Sequence, residues 1–287
     1  MKCNHRGTEP PWLHPDLMMT SLSTYFDRIG YAGNASVSLE TLQTLHLHHT
    51  QAIAFENLNP FLGWPVPLDT ASLQEKLVND RRGGYCYEQN LFFKHVLETI
   101  GFRVTGLAAR VVWNTTPDVV LPRTHMLMRV EAKGESFIAD VGFGSLTLTA
   151  PLRLQLETAQ HTPHGAFRVM REAEEFVLEA ELGHEWKQLY KFTLHEQLRP
   201  DYEMANYYVS CHPKSRFVNG LIAARPAENR RYALLNNEFT VRFMNGQSER
   251  RVLRTAAEIR DVLEGPMGLK LPSAPDLDVR LQRLIEM

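Results

Sequence analysis

Arg82-Gly83-Gly84-Tyr85-Cys86-Tyr87-Glu88-Gln89 sets one cysteine behind a glycine pair and at the head of an amphipathic helix. Glycines permit a tight turn and a close approach to a ligand. Beyond them Phe92, Phe93, Val96, Leu97 and Ile100 fall at helical spacing, and Gly101 supplies the stop. Cys86 is therefore expected in the first turn, where unpaired N–H groups and the positive end of the helix dipole favour a thiolate. A buried cysteine acting as a small hydrophobe is the competing reading. The glycine pair and the partners found downstream argue instead for a nucleophile.

Working outward from that helix, the chain divides into three stretches, predicting an α+β fold of three lobes at 1–101, 102–208 and 209–287. The first is helical in period, with Leu17, Leu22, Phe26 and Ile29 before Gly30, then Leu39, Leu42, Leu45 and His49. Its segment 53–67 is too rich in Pro, Gly and Asn for a long helix and reads as a loop bearing a few buried apolar residues. The second stretch changes to short alternating runs at 104–113, 125–132, 137–143, 167–170, 176–182 and 186–192, as in a barrel or a strongly curved antiparallel sheet. The third joins a hairpin around Asn245-Gly246 to a helix that opens at the capping box Thr255-Ala256-Ala257-Glu258 and closes at Gly265-Pro266, an α/β lobe.

Thiol catalysis needs a base, and usually a third group to hold that base in the right tautomer. His125 opens one predicted strand, Asp140 lies near the end of the next, and Lys133-Gly134 lies between them as a turn. With Lys133-Gly134 as the two loop residues, His125 faces Gly142 and Asp140 is its diagonal neighbour. A register two residues away sets His125 directly against Asp140. Both registers leave the two side chains on one face, with Cβ atoms roughly 5 to 8 Å apart. A papain-like Cys86–His125–Asp140 set follows. The same three residues lack the paired spacing of metal ligands, and His46, His48 and His49 point to different sides of their helix, so no metal is expected. In Val141-Gly142-Phe143-Gly144-Ser145, two glycines around an aromatic suggest amides free to hold an oxyanion or a pantetheine amide, though a plain tight turn explains the pattern equally well.

Composition excludes more than it assigns. With 31 basic and 33 acidic residues, the net charge of −2 gives no field for nucleic acid and no polybasic membrane anchor. No apolar run is long enough to cross a bilayer and the start lacks a signal-peptide core, so a soluble, cytoplasmic protein is expected. Cys3, Cys86 and Cys211 are odd in number and widely spaced, which argues for reduced thiols over a disulfide framework or a zinc site. Oligomeric state is left open.

Taken in order, IAFENL at 53–58, RGGYCYEQN at 82–90, ARV at 109–111, THM at 124–126, DVGFG at 140–144 and NYYVSCHPKSRF at 206–217 resemble the blocks of the arylamine N-acetyltransferases, in their bacterial form. That resemblance implies a helical bundle, an antiparallel β-barrel and an α/β lid, with a cysteine-protease-like core shared by the first two. It implies acetyl-CoA as co-substrate and aromatic amines, hydrazines or hydroxylamines as acceptors. Cys86 becomes the acetyl-accepting nucleophile, His125 its base and Asp140 the group that orients the histidine. Thr124, Gly142, Phe143, Gly144, Tyr208 and Ser215 are carried over as coenzyme contacts, and Phe55, Val112 and Phe143 as acceptor contacts. Ala54 and Cys211 depart from the family, which often has proline and threonine there. A hydrolase or transglutaminase-like enzyme with the same triad is the rival reading, followed by a non-catalytic binding protein. A thiol redox sensor lacks a resolving cysteine nearby.

Overall fold

The computed structural model describes residues 22–116 and 119–286. Leu17 and Cys3, both used above, lie outside the described residues. The first lobe comprises α1 (Leu22–Ile29), α2 (Leu39–Ala52), a short strand β1 (Phe55–Glu56), α3 (Leu58–Leu62), α4 (Thr70–Gln74), which runs into a π-helical turn at Glu75–Asn79, and α5 (Cys86–Ile100). Local chemistry explains the starts. Ser38 accepts the Thr41 N–H at 3.1 Å to cap α2, and Asp69 accepts the Ser72 N–H at 2.9 Å to cap α4. Gly101 ends α5 in the left-handed region, φ +109. The apolar faces of α1, α2 and α5 meet through Tyr25, Leu42, Leu45, Phe92, Phe93 and Val96, all fully buried. Segment 53–67 is thus not plain loop, because it holds both β1 and α3.

Eight antiparallel strands form the second lobe: β2 (Arg103–Val111), β3 (His125–Ala132), β4 (Glu135–Ala139), β5 (Leu152–Arg153), β6 (Gln160–Thr162), β7 (Gly165–Glu172), β8 (Glu175–Leu182) and β9 (Glu185–Phe192). Their order, β5-β4-β3-β2-β9-β8-β7-β6, curls into a nearly closed barrel around Leu107, Leu127, Ile138, Val169, Leu178 and Leu189. A side chain bridges the remaining gap. The Gln160 amide accepts the Arg153 N–H at 2.8 Å and donates to the Arg153 carbonyl at 2.9 Å, serving the edge groups that a strand would otherwise pair.

The third lobe holds α6 (Arg199–Cys211), α7 (Arg216–Asn219), strands β10 (Ile222–Ala227), β11 (Arg230–Leu235), β12 (Glu238–Phe243) and β13 (Ser248–Val252), then α8 (Ala256–Glu264) and α9 (Leu277–Glu286). Its sheet, β1-β10-β11-β12-β13, borrows β1 from the first lobe, with Phe55 opposite Ala224. The expected boundary between 208 and 209 falls inside α6. Tyr207-Tyr208-Val209 has strand-like composition, but Pro200 in the first turn and the Asp201 carboxylate, which accepts the Leu198 N–H at 2.8 Å, begin a helix well before it.

Candidate active site

Cys86 is the first residue of α5, 3% exposed, with its Sγ 3.7 Å from the Thr124 carbonyl. Several independent bonds hold the turn that delivers it. A Cβ on Gly83 would stand 2.1 Å from the Ala54 carbonyl, so only glycine lets the loop lie against β1. Gly84 exchanges backbone bonds across β1, its N–H donating to Ala54 and its carbonyl accepting from Glu56. The Gln89 amide donates to the carbonyls of Ala54 and Gly84, each at 3.0 Å, while its oxygen accepts from His49 Nε2 at 2.8 Å. His49 in turn accepts the Tyr25 hydroxyl hydrogen bond at Nδ1, 3.0 Å away. Burial lowers the His49 pKa to about 3, so the ring is a neutral strut.

Behind the glycine pair four charged side chains are sequestered together. Arg82 donates through Nε and Nη2 to Glu56 Oε1, at 3.1 and 2.8 Å, and through Nη2 to Asn59 Oδ1. Lys76 meets Glu88 at 2.6 Å and lies 3.8 Å from Glu56, and the second Glu88 oxygen accepts the Tyr85 N–H ahead of α5. Burial would push the Glu56 carboxyl up, but the charges of Arg82 and Lys76 overcome it and leave the group below its ordinary range. Glu88, where burial prevails over Lys76, is raised.

On the opposite side β3 and β4 adopt the first of the two registers considered. Ala132 faces Glu135 and Met128 faces Ala139, with Lys133 and Gly134 as the two loop residues at φ +50 and +81. The strand expected to reach 143 stops at Ala139. Asp140 Oδ1 accepts the Gly142 N–H at 2.9 Å, a local turn that replaces the ladder and swings the carboxylate toward the histidine. His125 Nε2 then meets Asp140 Oδ2 at 2.7 Å, with both residues buried. Burial alone would depress the imidazole pKa. The Asp140 charge and hydrogen bond, together with a hydrogen bond from the Cys86 side, reverse this and raise it to about 10. Burial would likewise raise Asp140, yet the charge of His125 and the donors Asn90 and Gly142 hold it below its ordinary value. At neutral pH the pair is an imidazolium and a carboxylate, and Nδ1 is the nitrogen left for the sulfur.

Residues given no role at the site by the sequence complete the arrangement. Asn90, one turn along α5 from Cys86, donates to the Met126 carbonyl at 2.7 Å and to Asp140 Oδ1 at 2.9 Å, and accepts the Val141 N–H at 3.0 Å. His46 Nε2 accepts the Asp140 N–H at 3.3 Å, and burial lowers this ring to about 4, so it too is neutral. Thr147 donates to the Asp140 carbonyl at 3.1 Å and accepts the Phe143 N–H at 3.3 Å. Arg231, buried in β11, donates to the Thr147 carbonyl at 2.9 Å and to the His164 carbonyl at 2.9 and 3.3 Å, tying the third lobe to this loop.

The carried-over positions separate into two groups. Phe143 stands against His125 with ring centroids 5.2 Å apart, Gly144 packs on the Phe55 ring, and the Thr124 carbonyl faces Sγ. A Cβ on Gly142 would lie 2.8 Å from Cys86 Cα, so this glycine allows the two loops to touch. The free amides expected here are mostly engaged: Val141, Gly142 and Phe143 donate to Asn90, Asp140 and Thr147. Val112 instead lines a recess of about 330 Å³ with Trp113, Lys187 and Lys191, which shares no residue with the triad. Tyr208 is exposed on α6 and stacks on His212 at 4.6 Å, while Ser215 caps α7 and bonds to Val209. Among the described residues, no three His, Cys, Asp or Glu side chains converge as metal ligands do, and no helix is long and apolar enough to cross a membrane.

A thiol at a helix start beside a histidine–carboxylate pair suits acyl transfer, and residues 38–276 match the N-acetyltransferase family. The arylamine N-acetyltransferase of Escherichia coli is 41% identical over 258 residues, covering 90% of this chain and 92% of the relative. That of Mycobacterium bovis is 39% identical over 275 residues, 93% of this chain and 97% of the relative. Among solved structures, the Mycobacterium smegmatis arylamine N-acetyltransferase aligns with a TM-score of 0.90 at 37% identity, covering 94% of this chain and 100% of that one. The Mycobacterium marinum arylamine N-acetyltransferase in complex with CoA aligns at 0.88 and 38%, covering 92% and 99%. The chain belongs to the arylamine N-acetyltransferase family.

Proposed function

We propose that this protein transfers an acetyl group from acetyl-CoA to an arylamine, arylhydrazine or arylhydroxylamine by a ping-pong route through acetyl-Cys86, acting in the cytoplasm. The observation that carries the reading is the placement of Cys86 as the first residue of α5 beside His125, whose ring Asp140 holds at 2.7 Å and keeps above its ordinary pKa, the arrangement that nucleophilic thiol catalysis needs. The sulfur attacks the thioester carbonyl, the carbon–sulfur bond to CoA breaks, and His125 gives its proton to the departing CoA thiolate. The amine nitrogen then attacks the acetyl-cysteine, His125 takes the amine proton, and Cys86 leaves as thiolate. Exchange between two thioesters is nearly balanced in energy, so positioning matters more than driving force.

Asp140 keeps the imidazole in one orientation throughout, as in a cysteine-protease-like core. The division of labour follows the lobes, with the nucleophile from the first, the acid–base pair from the second, and the third covering both and limiting water. Phe55 and Phe143 supply an apolar wall for the aromatic acceptor. Tyr208, Ser215 and Val112 would meet coenzyme or acceptor only through ligand atoms that extend away from the sulfur.

Intact mass after incubation with acetyl-CoA is the test. One acetyl group on Cys86, absent in Cys86→Ala and removed by an aromatic amine, is the expected result. CoA release that proceeds equally without amine would replace transferase with hydrolase.

A further inference from the structure

On the side of the first lobe that meets the third, a set of cations has no counter-charge among the described residues. Arg28 in α1 donates through Nε to the Leu77 carbonyl at 3.1 Å, just before the turn that carries Arg81. The Arg81 carbonyl accepts the Lys270 N–H at 3.3 Å, and two residues earlier Gly268 lets Arg225 of β10 lie on the backbone, since a Cβ there would be 2.3 Å from Arg225 Nη1. This chain of contacts brings the side chains of Arg28 and Arg225 and the backbone of Arg81 and Lys270 to one seam. None of the four forms an ion pair among the described residues. Two of their buried nitrogens, Arg28 Nη2 and Arg225 Nε, also have no hydrogen-bond acceptor. Burial, with the charges of Arg81 and Arg225 acting in the same direction, lowers the Arg28 pKa to about 10, as cations facing one another should.

Arg231 shows how the fold treats a buried guanidinium that has only a structural task. It too lacks a carboxylate, yet its nitrogens reach the carbonyls of Ser145, Thr147 and His164. In the seam, Arg28 has the Leu77 carbonyl alone, and Arg28 Nη2 and Arg225 Nε have no acceptor among the described residues. Leaving buried charge-bearing donors open is costly, and a cluster of like charges adds repulsion, so such an arrangement is stable when an anion completes it. A carboxylate presents two oxygens, whereas a phosphoryl group presents three and carries up to two charges, a better match for three guanidinium groups.

We propose that the Arg28–Arg81–Arg225–Lys270 seam binds a phosphoryl oxyanion, free or borne on a nucleotide, whose oxygens accept from Arg28 Nη2 and Arg225 Nε. The site shares no residue with the Cys86 triad and does not depend on the acetyl-transfer reading. Because it joins α1 to β10 and to the 268–270 loop, occupancy would lock the first lobe against the third.

The full chain is titrated with inorganic phosphate in the millimolar range at constant ionic strength made up with chloride, and followed by thermal unfolding and calorimetry. The expected result is a saturable rise in melting temperature on the order of 3 °C. Arg28→Gln and Arg225→Gln should abolish that rise while acetyl transfer at saturating acetyl-CoA stays unchanged. Should either variant fold poorly, Arg81→Gln, altered at an exposed side chain, should weaken phosphate binding about tenfold. Tighter binding of adenosine monophosphate than of phosphate would identify a nucleotide-borne group, and equal binding the free ion. A wild-type chain that responds to phosphate no more than to chloride, or variants that keep the full rise, would overturn the proposal.

Discussion

The two sides of the thiol are held by opposite means. Behind the nucleophile, Glu56, Lys76, Arg82 and Glu88 form a buried network of two acids and two bases that fixes the glycine turn. Around the carboxylate, the shell is neutral: Asn90 and the Gly142 amide donate to Asp140 Oδ1, His46 and Thr147 bond its backbone, and the nearby guanidinium of Arg231 is directed to carbonyls. Had a cation shared Asp140, it would have competed with the imidazolium and lowered the His125 pKa. A neutral shell fixes the carboxylate in place and leaves its charge to His125. The ionic side can tolerate strong pairing because its task is to hold backbone, not to tune a proton.

Removing one charge from the ionic network strands another, so Arg82→Met is the most damaging change expected away from the triad. Glu56 is fully buried and would lose both guanidinium donors to its Oε1 and most of its compensating charge, a cost of about 3 to 5 kcal/mol. Urea unfolding measures it. Lys76→Met should cost less, because that side chain is 13% exposed. Equal losses for the two would mean that the network's members are interchangeable.

On the neutral side the sensitive variable is acidity. His46 binds a proton in the unfolded chain below about pH 6.5 but in the folded protein only below about 4. Its folded pKa is depressed, so stability is full above 6.5, falls as pH drops towards 4, and levels off below. Over that window His46 alone removes on the order of 3 kcal/mol, and His49, lowered to about 3, continues the decline. His46→Gln retains an acceptor for the Asp140 N–H and cannot titrate. Its urea midpoint should therefore change less between pH 7 and 4.5 than that of the unaltered chain, and an unchanged slope would remove His46 from the account.

Legibility in the sequence followed the range of the interactions. The His125–Asp140 meeting was readable because a two-residue turn sets the register of everything beside it, and the structure uses that turn. The α8 capping box and the Cys86 helix start were readable for the same local reason. Asn90 was visible only as part of a block, since its partners lie 36 and 50 residues away. The Arg82–Glu56 pair spans 26 residues, and no local pattern marks it. The start of α6 did carry a local signal, Pro200-Asp201, which the boundary placed at 208 did not use. For 141–143 the glycines announced close approach without saying to what, and at Gly142 the neighbours are Cys86 and Asn90.

Asn90→Ala separates positioning from packing. It deletes the donor to Asp140 Oδ1 and the acceptor for Val141 N–H, so kcat/KM should fall about 10- to 100-fold, as expected for a hydrogen bond to a charged group worth about 1.5 to 3 kcal/mol. Steady-state kinetics with an aromatic amine gives the number. Thr147→Val keeps the shape and removes only bonds to the backbone of Asp140 and Phe143, a change of about 1 kcal/mol and a several-fold loss in kcat/KM. Arg231 still grips the Thr147 carbonyl in that variant, so the loop should stay seated. If Thr147→Val were nonetheless as harmful as Asn90→Ala, the placement of the loop, and not the donor to the carboxylate, would be what sets the imidazole.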